Sequence, residues 1–109
     1  MRKIYYRKLI RDKIPEIIKA NGGDFKTRIL NNREFEKELR DKLVEEAKET
    51  AKAKPKDLLN ELSDILELIK TLAQVHKLDF KKIEKTRIKK RRERGGFKKR
   101  LFLVWSSKK

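Results

Sequence analysis

Apolar residues recur at helical spacing along two stretches in the middle of this chain. In the first stretch they return every fourth residue from Phe35 to Ala51, and in the second they fill one face of residues 58–73. Lys54-Pro55 interrupts the pattern between them, because the residue before a proline is disfavoured in a helix. We therefore predict two amphipathic helices, the first ending near Ala53, that are joined by a short turn and pack as an antiparallel hairpin.

Shorter signals precede the hairpin. Pro15 stands at a position typical of the first turn of a helix, and Gly22-Gly23 predicts where that short helix ends. Residues 25–30 alternate weakly between apolar and polar side chains, which indicates an extended segment. Either Asn31 or Asn32 can then cap the first helix of the hairpin through its side chain.

A fourth helix is predicted after the hairpin. It begins near Asp79, a suitable capping residue, and ends at Gly95-Gly96. Its inward face should carry Phe80, Ile83 and Ile88. Beyond it, the apolar run from Leu101 to Trp105 predicts a docked tail or a short strand. Together these elements predict an all-α fold, an antiparallel bundle of about four helices built on the hairpin, with residues 1–109 forming one domain.

Composition narrows the possible compartment, cross-links and partners of this domain. The chain has 109 residues, no cysteine, and 33 lysines and arginines against 17 acidic residues, for a formal net charge of +16. The lack of cysteine excludes a disulfide framework and a thiolate zinc site. No apolar run is long enough to cross a bilayer, so we expect a cytoplasmic protein without a membrane partner. The positive charge favours polyanionic partners such as nucleotides or nucleic acid.

The two helices of the hairpin carry carboxylates where apolar side chains are expected. At about 100° per residue, Glu46 falls inside the apolar arc of the first helix and Glu49 on its border, while Glu45 lies further out. In the second helix Glu61 lies among the leucines of the apolar arc, and Asp64 lies just outside it. Each helix therefore carries a pair of carboxylates three residues apart, and the two pairs can converge across the hairpin.

Carboxylates gathered in this way repel one another and are costly to bury without a cation. Because the candidate ligands are all oxygens, with His76 the only histidine, we expect magnesium or manganese rather than zinc. Magnesium often bridges substrate phosphates, so a polyphosphate is the expected ligand. The simpler alternative to a metal site is that the carboxylates of the motif lie on a solvent-exposed helix face. Such a face better explains four other glutamates of the chain. These are Glu36, Glu38, Glu67 and Glu84.

The acidic motif resembles that of the all-α nucleoside triphosphate pyrophosphohydrolase superfamily, which includes MazG-like proteins, dimeric dUTPases and phosphoribosyl-ATP pyrophosphohydrolase. The hallmark of that superfamily is E-E-x-x-E on one helix and E-x-x-D on the next, matched here by residues 45–49 and 61–64. Residues 8–18 and 92–97, which read KLIRDKIPEII and RERGGF, resemble a MazG-like subgroup.

The resemblance implies a reaction and roles for particular residues. A magnesium-dependent hydrolysis would release pyrophosphate and leave a nucleoside monophosphate, either from non-standard nucleotides in a house-cleaning role or, as the alternative, from phosphoribosyl-ATP. Glu45 or Glu49 would orient the attacking water. The metal ligands would be Glu46, Glu49, Glu61 and Asp64. The phosphate-binding residues, expected from their charge and position, are Arg11, Lys13 and Arg94.

Two further expectations concern partners. Superfamily members commonly form dimers or tetramers, and the second hairpin helix, apolar over about half its circumference, favours a homo-oligomer here. The main rival from another class is a basic nucleic-acid-binding module that uses residues 87–94 and 98–100, with Phe97 and Trp105 stacking on bases. This rival leaves the inward carboxylates unexplained, as does a purely structural helical bundle.

Overall fold

The computed structural model describes residues 2–108, and within them it contains four α-helices and no strand. The helices are α1 (Ile14–Ala20), α2 (Asn32–Lys52), α3 (Leu58–Val75) and α4 (Phe80–Arg94). A 3-10 turn over Pro55–Asp57 joins α2 to α3. The predicted all-α fold is confirmed. None of the helices among residues 2–108 is long and apolar enough to cross a membrane.

The start of α2 is set by a reciprocal cap. The side-chain oxygen of Asn31 accepts a hydrogen bond from the backbone N–H of Glu34 at 2.9 Å, and the Glu34 carboxylate accepts one from the backbone N–H of Asn31. Two N–H groups that no helical carbonyl can reach are satisfied in this way. Arg28 adds an ion pair to Glu34 at 2.8 Å. Of the two predicted capping residues, Asn31 and Asn32, the structure shows Asn31 as the cap.

The helices α2 and α3 pack against each other as an antiparallel hairpin. The His76 ring at the end of α3 contacts the Glu36 carboxylate near the start of α2, so the two ends lie side by side. Leu39 and Ala73, 2% and 4% exposed, are the buried hydrophobic residues of the described chain. The periodic pattern therefore located both the hairpin and its contact face.

Most of α4 lies away from the hairpin. Its first turn is held by Asp79, whose carboxylate accepts a hydrogen bond from the backbone N–H of Lys81, and by Lys70, whose ammonium lies over the Phe80 ring. Every residue of α4 after Glu84 is exposed. The prediction that Ile88 points inward is therefore wrong, because this part of α4 has no neighbouring helix to bury it.

The apolar run after α4 is not docked. Leu101 and Trp105 are 85% and 78% exposed, the residues between them are equally open, and none of them forms a strand. The predicted docked tail or strand is wrong for the single chain. The physical reason is that the tail follows the exposed part of α4, where the described chain offers no helix for it to pack against.

Candidate metal centre

Three carboxylates converge between the helices of the hairpin. Glu46 of α2 and Glu61 and Asp64 of α3 each offer an oxygen, and these oxygens all lie within 4.8 Å of one another. Each of the three side chains is half-buried. Because Glu61 and Asp64 are one helical turn apart, both point to the same side of α3 and meet Glu46 across the hairpin.

The electrostatics of Glu46 reflect this crowding. Its pKa is raised, first by burial, then by a hydrogen bond shared with Glu61, and then by the negative charges of Asp64 and Glu61. The nearby Lys42 acts in the opposite direction and lowers the pKa. The folded hairpin therefore disfavours the charged form of Glu46, and a bound cation would remove that penalty.

Arg11 approaches the same cluster from outside the hairpin. Its guanidinium Nη2 donates a hydrogen bond to Oδ1 of Asp64 at 2.7 Å, across 53 residues of sequence. The Arg11 side chain is 57% exposed and that of Asp64 is 30% exposed. The segment before α1 is thus brought to the carboxylates, and Arg11 is a sequence-predicted phosphate-binding residue that reaches them.

The chemistry of the three carboxylates fits a hard divalent cation. All the donors are oxygens held on two packed helices, and Asp64 is the one of the three carboxylates that forms an ion pair in the described chain. Magnesium and manganese prefer such oxygen donors, whereas zinc sites are usually completed by histidine or cysteine. The residues present therefore fit the predicted metal, which Glu46, Glu61 and Asp64 could hold.

The other two acidic residues of the motif, Glu45 and Glu49, do not belong to this group of three. Glu45 and Glu49 are both exposed on α2. Glu49 lies outside the group of three carboxylates, and its predicted role as a fourth metal ligand stays a prediction. Together with Glu61 it lines an open pocket at the turn of the hairpin. The remaining residues of that pocket are Lys52, Ala53, Lys54, Lys56, Asp57 and Asn60.

The lysines that line this pocket were not predicted from the sequence as part of a site. Lys52, Lys54 and Lys56 flank the same turn as Glu49 and Glu61, so they add positive charge beside the carboxylates. A signal for them existed, since a run of lysines at every second position surrounds the end of the motif-bearing helix. The run looked like ordinary surface charge because lysine is abundant throughout the chain.

The remaining predicted phosphate-binding residues, Lys13 and Arg94, form no ion pair with the three carboxylates within the described residues. Lys13 directly precedes α1 and is exposed. Arg94 is the last residue of α4 and is also exposed, on the part of that helix that has left the hairpin. Their proposed contact with substrate phosphates remains a prediction.

A hairpin of two helices that joins E-E-x-x-E to E-x-x-D, with its carboxylates meeting between them, defines an all-α hydrolase of the nucleoside triphosphate pyrophosphohydrolase superfamily. Residues 11–92, which are 82 of the 109, match the family described as phosphoribosyl-ATP pyrophosphohydrolase. The chain belongs to that family, and the resemblance of the acidic motif to the superfamily is confirmed. The family implies hydrolysis of a pyrophosphate bond. Searches of the curated proteins and of the solved structures find no match.

Proposed function

We propose that this protein is a magnesium-dependent pyrophosphohydrolase that cleaves a nucleoside triphosphate between its α and β phosphates, releasing pyrophosphate and a nucleoside monophosphate. The observation that carries the proposal is the convergence of Glu46, Glu61 and Asp64 within 4.8 Å in a member of a pyrophosphohydrolase family. In a chain with a net charge of +16, a cluster of negative charges between two helices favours a specific cationic ligand over a merely solvated face.

The residues divide the work as follows. Glu46, Glu61 and Asp64 hold the metal, which when bound neutralises phosphate charge and helps to generate the nucleophile. Glu49 faces the pocket that it shares with Glu61, which favours it over Glu45 as the base that orients the attacking water. Positive side chains bind the phosphates and hold them for in-line attack. These are Arg11, Lys13 and Arg94.

Phosphoribosyl-ATP is the first candidate substrate, because the family match over residues 11–92 favours it over the broader house-cleaning role. Non-standard nucleoside triphosphates are the second. The observation in their favour is that the segment of residues 92–97, which resembles the MazG-like subgroup, lies almost wholly beyond the matched region. A substrate panel must therefore include both classes.

The proposal is tested by following pyrophosphate release from phosphoribosyl-ATP and a panel of standard and non-standard triphosphates with magnesium. Release from at least one of them, abolished by Glu46→Gln and retained by Glu67→Gln, is the expected outcome. Glu67 is a matched control because it is exposed on the same hairpin and outside the cluster of three carboxylates. No release from any nucleotide, or full activity in Glu46→Gln, would contradict the proposal.

We also propose that the working protein is a homo-oligomer, a dimer or a tetramer. A 109-residue domain normally buries a substantial core, but Leu39 and Ala73 are the buried hydrophobic residues among those described. On α3, Leu59, Leu62 and Leu66 form an exposed stripe at helical spacing. A second copy packed on this stripe would supply the missing burial.

A further inference from the structure

Asp64 is the one carboxylate of the cluster that forms an ion pair in the described chain. Its Oδ1 accepts the hydrogen bond from Arg11 at 2.7 Å, whereas Glu46 and Glu61 form no ion pair within residues 2–108. The guanidinium therefore occupies an oxygen of a proposed metal ligand. We propose that Arg11 is an internal counter-ion of the site, which holds Asp64 while no metal is bound and gives it up when the metal enters. This inference rests on the proposed function.

The contact between Arg11 and Asp64 should weaken metal binding because of the charges in the site. Three carboxylate oxygens within 4.8 Å of one another attract any cation, and Arg11 is a cation already in place. A divalent ion that binds the cluster meets the Arg11 charge at short range and competes with it for Asp64. Arg11 therefore lowers the metal affinity of the free protein. Because the ion pair is partly exposed and screened by solvent, the effect should be about threefold to tenfold.

The location of Arg11 permits the side chain to move without unfolding the chain. Its backbone carbonyl accepts a hydrogen bond from the N–H of Ile14 at 3.1 Å, which anchors the main chain at the start of α1. The side chain itself is 57% exposed and reaches over from this anchor. Once released from Asp64, the guanidinium would lie beside the three carboxylates with its N–H donors free, and its planar shape suits a phosphate group.

The exchange of partners by Arg11 and Asp64 couples the binding of metal to the binding of phosphate. A metal that takes Asp64 frees Arg11 for phosphate, and a phosphate that takes Arg11 frees Asp64 for metal. Each ligand therefore raises the affinity for the other by the same factor, as binding linkage requires. Arg11 thereby discourages the site from holding a metal when no nucleotide is present.

Lys13 provides a matched control for this inference. It has the same charge, lies two residues further along the same segment, and forms no ion pair within the described residues. A general effect of positive charge near the site would appear in Lys13→Gln as well as in Arg11→Gln. An effect that depends on the contact with Asp64 would appear only at Arg11.

The test is a titration of the full chain with Mn²⁺ alone, in which the electron paramagnetic resonance signal reports the free ion. Arg11→Gln should bind Mn²⁺ about threefold to tenfold more tightly than the wild type, with Arg11→Lys between them and Lys13→Gln within about twofold of the wild type. The lysine variant keeps the charge but loses the guanidinium fork, so it carries the same test should the glutamine variant fail to fold.

The outcomes separate this inference from the proposed function. Unchanged or weaker Mn²⁺ binding in Arg11→Gln, or an equal gain in Lys13→Gln, overturns the counter-ion role of Arg11 while leaving the metal site intact. Failure of the wild type to bind Mn²⁺ at all, or binding that is unaffected by Glu46→Gln, overturns the proposed metal site itself and the counter-ion role with it.

Discussion

The hairpin and the C-terminal region differ sharply in charge and in packing. The helices α2 and α3 together contain ten acidic and seven basic residues, whereas residues 80–109 contain two acidic and 14 basic residues. The hairpin buries its contact face, but residues 85–108, which form the rest of α4 and the tail that follows it, are exposed. The overall charge of +16 therefore does not describe the hairpin, which is locally acidic and carries the proposed chemistry.

The largest effect should come from removing one carboxylate of the hairpin. Glu46→Gln and Asp64→Asn should each lower kcat by at least about a hundredfold, because stabilisation by a metal contributes several kcal/mol to the transition state. Steady-state pyrophosphate release at saturating magnesium measures this loss. Glu67→Gln should stay within about twofold of the wild type, as expected of a surface substitution. A comparable loss in Glu67→Gln would mean that the acidic hairpin acts only through its total charge.

The next largest effect should be on assembly. Leu62→Asp places a charge on the exposed stripe of α3 and should weaken self-association by at least about tenfold, since burying a leucine contributes roughly 1.5–3 kcal/mol. Light scattering across a concentration series measures the change. Ile29→Asp is the control, because Ile29 is 99% exposed outside the hairpin. An oligomer that dissociates in Ile29→Asp but not in Leu62→Asp would place the interface elsewhere.

A smaller effect is expected from the basic region. Arg94→Gln should raise KM by about threefold to tenfold with little change in kcat, because it removes a contact made equally in the ground and transition states. The shift in KM should shrink as ionic strength rises. Lys99→Gln removes the same charge from the tail and should change KM less. Equal shifts in both variants would mean that the C-terminal region acts by its general field alone.

The smallest effect concerns stability. Without divalent ions, Glu46→Gln should unfold a few degrees higher than the wild type, because it removes one of three carboxylates that lie within 4.8 Å of one another. Magnesium should reverse this order by stabilising the wild type alone. Thermal melts with and without magnesium, followed by circular dichroism, measure both shifts. If magnesium raised the melting temperature of Glu46→Gln as much as that of the wild type, Glu46 would not be a ligand of the metal.

Sequence reasoning succeeded where local periodicity determines the structure. The spacing of apolar residues predicted α2 and α3, the cap was predicted at Asn31 or Asn32, and the inward position of Glu46 followed from the same count. It failed at residues 101–105, because an apolar run without periodicity does not reveal whether a surface is available to cover it. Local pattern therefore predicts helices and their faces, but not the neighbours of a terminal segment.

Contacts between segments far apart in the sequence could not be predicted either. Arg11 and Asp64 pair across 53 residues, and neither residue carries a local signal of the other. The charge of Arg11 suggested phosphate binding, but its contact with a proposed metal ligand depends on how the segment before α1 folds back on the hairpin. The same limit applies to Arg94, because its charge does not reveal that it lies on the exposed part of α4, and its proposed contact with phosphates stays a prediction.

The most direct measurement is anomalous scattering from crystals soaked in Mn²⁺. Our proposal predicts an anomalous peak between α2 and α3, within ligand distance of carboxylate oxygens of Glu46, Glu61 and Asp64, and no peak there in crystals of Glu46→Gln. A strong peak elsewhere on the molecule with none between the two helices, or an unchanged peak in Glu46→Gln, would contradict it.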